Sequence, residues 1–459
     1  MKERDRRLIK NTTILSIGTI CTKGMMFIMT PFFTRWLTQE EYGTFDLIVT
    51  YVSLLIPLVT FEIGQAAFRF LMREDENKKE IIGNTFIISI FGTIVSIILI
   101  VLIGFFYSPI RHIMDSIILY VIAEVFYLSL TMIMRGIKKL DVYTIANVLY
   151  VFIMTLFVFM FVKIMKLNLR GVIFGYALGY IVSDIYMIVK LVNMGFLTVK
   201  KINIKKVQNM LKYSLPLIPC DISWWIMNVS DRTIVSIFLG TASNAILSVA
   251  NKIPNMCQSI FNVFHLSWQE NAIETLNDED RNLYYSKVMN NMLRIITSIC
   301  LVILSFNFII FDILFTKEYF PGYYQVPILI SAIIFSMLAQ FLGSLYIANM
   351  NSKKSGWTTL IAAIVNIIIH LILIKYINLY AASISTLISY LLLFFIRYVD
   401  INKKIKLSID RNSILILIAL IYFFISTYLN ITFINYLNIA LSIGIFIACN
   451  KNYLLKLKR

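Results

Sequence analysis

Apolar residues along the chain gather into stretches long enough to cross a membrane, each closed by a short polar or charged break. They run over 11–36, 43–68, 81–107, 113–134, 142–162, 171–189, 213–238, 243–265, 288–315, 326–348, 357–374, 379–396, 412–429 and 433–450. The pattern predicts an all-α integral membrane protein of about 14 transmembrane helices, or twelve where neighbouring stretches merge. Composition agrees. Of 459 residues 59% are hydrophobic and 15% charged, where a soluble chain carries about 25% charge.

Polar residues inside these stretches line up on helical faces. At about 100° per residue, Thr12, Ser16, Thr19, Lys23, Thr30 and Thr34 share an arc of about 60° in the first stretch. In 243–265, Ser248, Asn251, Lys252, Asn255, Ser259 and Asn262 share about 100°, with Pro254 predicting a kink beside them. In 213–238, Asp221, Trp224, Trp225, Asn228, Asp231 and Arg232 share about 120°, and Pro216 and Pro219 loosen the entrance. The stretch 43–68 carries Asp46, Ser53, Thr60 and Gly64 on one side, and Glu62, Gln65 and Arg69 on another.

A lysine at mid-membrane costs about 2.5–3.5 kcal/mol on insertion scales. Lys23 and Lys252 therefore need a compensating environment. One is structural: Asp46 or Asp231 as buried partners, with hydroxyls bonded back to their own helices. The other is a water-filled cavity, favoured because packing does not need polar seams running end to end. Cations at mid-depth suit an anionic substrate, and lysine binds phosphate as a compact point charge. Indoles beside carboxylates and amides suit a sugar ring, with its apolar face and rim of hydroxyls.

The net charge of +17 is distributed by topology. Alternate breaks, starting from the N-terminus, hold about thirty-one positive residues and the opposite breaks only seven. Both termini are expected to be cytoplasmic, and nucleic acid is excluded as the meaning of the charge. Cys21, Cys220, Cys257, Cys300 and Cys449 lie in apolar stretches without metal-ligand spacing, and His112, His265 and His370 stand singly, as packing or pore-lining residues do. There is no phosphate-binding glycine loop, zinc-type histidine pair or nucleophile elbow. No break is long enough for a catalytic domain. The chain reads as a transporter and not an enzyme, with a retained first helix.

Several stretches carry a family resemblance. NTTILSIGTICTKGMMFIMTPFFTRWLTQEEYGTFDL, with Arg35, Leu37, Tyr42 and Gly43, followed by IGQAAFRF, resembles the N-terminal signature of the polysaccharide-transport family of O-antigen and capsule repeat-unit flippases. ILSVANKIPNMCQSIFNVFHLSWQE is similar to that family's eighth helix at Ser248, Ala250, Lys252 and Pro254, with Leu247 where an aromatic is usual. NIIIHLILIKYINLYAASISTLISY matches a later segment at Asn366, Ala381, Ala382 and Thr386; His370 replaces an asparagine, and Asn378 and Tyr380 replace glycines.

The resemblance implies the multidrug/oligosaccharidyl-lipid/polysaccharide exporter fold, with two pseudo-symmetric six-helix bundles. On that scheme 1–194 is the first bundle, 195–212 a basic cytoplasmic linker, 213–400 the second bundle, and 401–459 an extra helix pair with a basic tail. It implies a flippase for undecaprenyl-diphosphate-linked oligosaccharide in the bacterial cytoplasmic membrane, working by alternating access. Lys23, Lys252, Arg35, Arg69 and Arg232 are the candidates for the pyrophosphate, and Trp224, Trp225, Asn228 and Asn255 for sugar. Asp46, Glu62, Asp221 and Asp231 are the candidates for coupling to a Na+ or H+ gradient. No cofactor or metal is expected. The implied partners are the lipid-linked oligosaccharide, membrane lipids, a polysaccharide polymerase and a chain-length regulator. The alternatives are a cation-coupled multidrug antiporter on the same fold and, from a different class, a membrane polysaccharide polymerase or ligase.

Overall fold

A computed structural model describes residues 22, 24–73, 76–106, 108–196, 203–276, 278–349, 351–429 and 431–457. Within them, regular structure is helical throughout: α1 (24–36), α2 (Gln39–Thr60), α3 (Ile63–Leu71), α4 (Lys78–Phe106), α5 (Met114–Gly136), α6 (Leu140–Val158, extended by a π-turn Phe159–Ile164), α7 (Asn168–Asn193), α8 (Ile204–Ser214) and α9 (Ile218–Leu239). There follow α10 (Thr241–Glu274), α11 (Arg281–Ser305), α12 (Asn307–Leu314), α13 (Val326–Ala348), α14 (Ser352–Ile377), α15 (Tyr380–Asn402), α16 (Arg411–Leu429) and α17 (Thr432–Leu457). Eleven helices among the described residues are long and apolar enough to cross a membrane. The all-α membrane architecture expected from hydropathy is what the chain adopts. It forms two compact units, Met1–Trp225 and Ile226–Arg459.

In the first unit α2 begins with reciprocal capping: Glu41 N donates to Thr38 Oγ1 at 3.2 Å, and Thr38 N donates to Glu41 Oε2 at 3.0 Å. The helix does not run on to residue 68. Phe61 and Glu62 both adopt left-handed backbone, each with φ 53°, so α2 stops at Thr60 and α3 starts anew. Two consecutive left-handed residues re-aim everything after them, and the polar stripes expected along 43–68 are broken at this point. The basic stretch at 195–212, read as a linker, contains most of α8. Asn203 caps that helix, Met210 is buried, and Lys206 pairs with Glu76 while lying over the Phe70 ring at 5.6 Å.

Helices α6 and α7 approach unusually closely, and the reason is legible in the spacing Gly171, Gly175, Gly179. A Cβ at Gly175 would lie 2.8 Å from Val158 N, and one at Gly179 would lie 2.8 Å from Tyr150 O. Only glycine permits this backbone contact, and it sets the ring of Tyr150 face to face with Tyr180 at 4.2 Å and 4°.

The second unit is built on α13, which packs against α10, α11, α14 and α15. Trp268 fixes the far half of α10 to it: its Nε1 donates to Phe341 O at 3.1 Å and its indole stacks on the Phe341 ring at 4.3 Å. Arg397 of α15 is buried and ties three helices together. It donates to Ala339 O at 2.6 Å, Thr359 Oγ1 at 2.8 Å, and Thr358 Oγ1 and Ser355 O at 3.1 Å. Gly343 leaves it room, since a Cβ there would meet the guanidinium at 2.6 Å. Of the final pair, α16 packs on α11, and α17 is anchored on it by polar contacts within apolar surroundings: Ser305 with Ser442 at 2.8 Å, and Asn450 to Ser298 at 3.1 Å. Cys257 and Cys300 are buried free thiols, as their apolar setting predicts.

Candidate functional site

Helix α9 carries Asp231 thirteen residues from its start, inside the second unit. Both carboxylate oxygens accept hydrogen bonds. His370 Nδ1 lies 2.8 Å from Oδ1, and Thr386 Oγ1 donates to Oδ2 at 2.6 Å. Asn366 Nδ2 in turn reaches Thr386 Oγ1 at 3.4 Å. Three helices, α9, α14 and α15, thus converge on one carboxylate.

Helical spacing explains the convergence. Asn366 and His370 are four residues apart on α14 and share a face, as do Thr386 and Tyr390 on α15. Tyr390 is buried within electrostatic reach of Asp231. The His370 side chain is 0% exposed and that of Asp231 15%, so the pair is enclosed with the carboxylate as its more open member. Two buried atoms of this cluster, His370 Nε2 and Asn366 Oδ1, have no partner among the described residues. A buried polar atom without a partner costs about 1–3 kcal/mol. Two in one cluster, beside a carboxylate, provide the donor and acceptor set for a proton, a water or a small cation.

Among the described residues, His370 and Thr386 are thus partners that hydrogen-bond Asp231. Lys252 is half-buried on α10, twelve residues into that helix, about 17 Å from its start. The helix continues through Pro254. Its polar seam survives with a graded exposure. Ser248 is buried, Asn251 and Ser259 are half-buried, and Asn255 and Asn262 are exposed. Arg232 is half-buried beside Asp231 in sequence.

Other predicted residues are placed apart. Arg35 is exposed in the last turn of α1, and Arg69 is exposed in the last turn of α3. Arg35 thus precedes α2, and Arg69 follows it at the far end of α3, beyond the left-handed break. Glu62 sits at the left-handed break. Asp46 is buried in the first unit, 7% exposed, near Tyr176. Trp225 commits its indole N–H to Thr50 O at 3.0 Å and packs near Tyr51 at 6.3 Å, which leaves its ring face as the part available to a sugar. Lys23 and the side chains of Asp221, Trp224 and Asn228 lie outside the described residues, as do Thr12, Ser16 and Thr19.

Sequence reasoning takes the lone His370 for a packing or pore-lining residue, although one stretch carries Asn366, His370 and Thr386 together. It also passes over the first unit's Glu124, flanked by Tyr120 and Tyr127, and Asp184, four residues after Tyr180. That spacing was the available signal.

Comparisons with known proteins bear on the same architecture. A family model described as "Polysaccharide biosynthesis protein" matches residues 8–268. No curated protein matches the chain in sequence. Among solved structures, an inward-facing multidrug resistance MATE family transporter of the MOP superfamily aligns with TM-score 0.68 at 12% identity, covering 86% of this chain and 98% of that one. The lipid II flippase MurJ in an inward closed conformation aligns with TM-score 0.67 at 16% identity, covering 96% and 99%. A mutant MATE transporter from Vibrio cholerae, VcmN, aligns with TM-score 0.62 at 11% identity, covering 87% and 97%. The identities are low and the coverage nearly complete, so what is shared with these structures is the fold. With more than half its length matched by one family model, the chain belongs to the polysaccharide biosynthesis protein family.

Proposed function

We propose that this protein is a flippase that moves undecaprenyl-diphosphate-linked oligosaccharide across the bacterial cytoplasmic membrane for surface polysaccharide assembly. The observation that carries the reading is the polar seam of α10, with half-buried Lys252 at mid-helix and exposed Asn255 and Asn262 beyond it. A cation at that depth suits a diphosphate, and the amides suit sugar hydroxyls. The lipid II flippase MurJ, which shares the fold, is named for a lipid-linked substrate. Lys252 and Arg232 would meet the diphosphate and Asn255 the sugar, while the prenyl tail stays in lipid. The Asp231–His370–Thr386 cluster would take the coupling H+ or Na+, with no other cofactor. A polymerase and a chain-length regulator would receive the translocated unit.

A second reading is a cation-coupled multidrug antiporter, supported by the MATE transporters among the structural neighbours. A cationic drug calls for an acidic site, and Lys252 with Arg232 weighs against it. The test is deletion in the native host, complemented with wild type or Lys252→Ala. Loss of surface polymer with lipid-linked oligosaccharide held on the inner leaflet, uncorrected by Lys252→Ala protein at normal level, is expected. Normal polymer with heightened sensitivity to cationic drugs overturns the flippase reading in favour of the antiporter.

A further inference from the structure

The first unit holds a second polar centre that the flippase reading does not use. Three helices bring polar residues to it at helical spacing: Tyr120, Glu124 and Tyr127 on α5, Asn147 and Tyr150 on α6, and Tyr176, Tyr180 and Asp184 on α7. Each set falls on one face of its helix. The glycine contact between α6 and α7 brings two of those faces together, and α5 closes the third side. Tyr127 lies 4.7 Å from Tyr180 and 5.5 Å from Tyr150 between ring centroids, and Tyr120 lies 6.0 Å from Tyr180.

Glu124 stands in the middle. Tyr180 OH donates to its Oε1 at 3.4 Å, the Tyr120 hydroxyl lies against the same carboxyl group, and its Oε2 is buried without a partner. Asp184, 6% exposed, and Tyr150, 4% exposed, also bury an oxygen without a partner: Oδ1 of the first and the hydroxyl of the second. Tyr127 donates to Asn147 Oδ1 at 3.0 Å and lies within electrostatic reach of both Glu124 and Asp184. Tyr176 lies within reach of Glu124 and of Asp46 on α2. The titratable groups facing Glu124 are thus phenols and carboxyls. Among the described residues no lysine, arginine or histidine forms an ion pair with Glu124 or Asp184.

An anion enclosed this way, with no counter-charge among the described residues, costs several kcal/mol. A metal ion would need converging ligands, and no set of three or more acidic, histidine or cysteine side chains among the described residues provides them. A proton needs no volume. It removes the charge at one oxygen, and phenols, which both donate and accept, can pass it along.

We propose that Glu124 takes up and releases a proton, and that Tyr180, whose hydroxyl donates to it, and Asp184, one turn further along α7, are its route through the first unit. The stretch of this route along α7, from Tyr180 to Asp184, covers about 6 Å. In each transfer a hydroxyl gives its own proton forward and receives one from behind, so its charge is unchanged at the end. Water supplies the first proton and accepts the last.

The test is infrared difference spectroscopy of the full-length protein in lipid nanodiscs across a pH step. A carboxyl C=O band from an apolar environment is expected in wild type. It should shift when glutamate alone is carbon-13 labelled, persist in Asp231→Asn, and vanish in Glu124→Gln. In Asp184→Asn it should rise at least about tenfold more slowly, a barrier increase of about 1.4 kcal/mol. No glutamate band in labelled wild type overturns the proposal without recourse to any variant. A band that survives Glu124→Gln does the same, and an unchanged rate in Asp184→Asn overturns the route. The measurement uses no lipid substrate, so it can fail while the flippase reading stands, and stand while that reading fails.

Discussion

Asp231 and Glu124 are both carboxylates inside membrane helices, one in each compact unit, and they are held in opposite ways. Asp231 has a donor on each oxygen, from His370 and Thr386. Glu124 has one long bond from Tyr180 and a buried oxygen with no partner. The first is oriented by hydrogen bonds and the second is enclosed by rings. The hydrogen-bonded carboxylate is fixed in orientation by its two partners, whereas the enclosed one keeps a buried oxygen with no partner among the described residues. The two are therefore suited to different tasks.

The comparison can be broken most severely at Asp231. Replacing it with Ala strands a buried imidazole, leaves the Thr386 hydroxyl only its bond to Ala382 O at 2.8 Å, and should cost about 3 kcal/mol of stability. Thermal unfolding in detergent would register this as a large fall in midpoint. A midpoint equal to wild type would mean the pair is not what holds α9, α14 and α15 together.

Next in size is Gly175→Ile. It forces a side chain into the backbone of Val158 and should cost about 1–3 kcal/mol. It should also disturb the Tyr150–Tyr180 stack, visible as a changed near-ultraviolet circular dichroism signal in the tyrosine region. An unaltered signal would detach the tyrosine cluster from the glycine contact.

Asp410 serves as a carboxylate outside both centres. It caps α16, accepting from Ser413 N at 2.8 Å and facing Arg294 at 3.5 Å. Burial opposes its ionisation, yet the Ser413 hydroxyl and N–H and the Arg294 charge outweigh that and hold it below the usual carboxylate range. A depressed folded-state value means stability present above the unfolded carboxylate's value and lost as pH falls through the folded one. Asp410→Ala should cost about 1 kcal/mol at neutral pH. That difference should shrink on acidification and close below both values. A gap that widened in acid would reverse the sign.

The smallest effect is expected at Glu124→Gln. An amide of the same shape can still accept from Tyr180, and it carries no charge to enclose. The change in stability should stay within about 1 kcal/mol. A loss as large as that from Asp231→Ala would erase the contrast.

Hydropathy alone determined the architecture. Apolar runs of membrane length leave no alternative to helices that satisfy their own backbone, so the all-α class was legible before any contact was known. The seam on α10 was legible too, because six polar residues on one helix need only the 3.6-residue repeat to be seen together. Similarly, Gly171, Gly175 and Gly179 announce a close helix contact by spacing alone, though not which helix is contacted.

Three things were decided only by tertiary structure. The break at Phe61 and Glu62 depends on two left-handed backbone conformations that neither residue type advertises. The partner of Asp231 had to be found among residues 139 and 155 positions away, His370 and Thr386, and a lone histidine in a greasy helix looks the same whether it packs or binds. The Glu124 centre draws its tyrosines from three helices, and each stripe taken singly reads as ordinary aromatic core. Periodicity along one helix is a local property that the chain carries in its order of residues. Which faces meet is set by packing among helices far apart in sequence, and it is that meeting which separates a buried acid from a site.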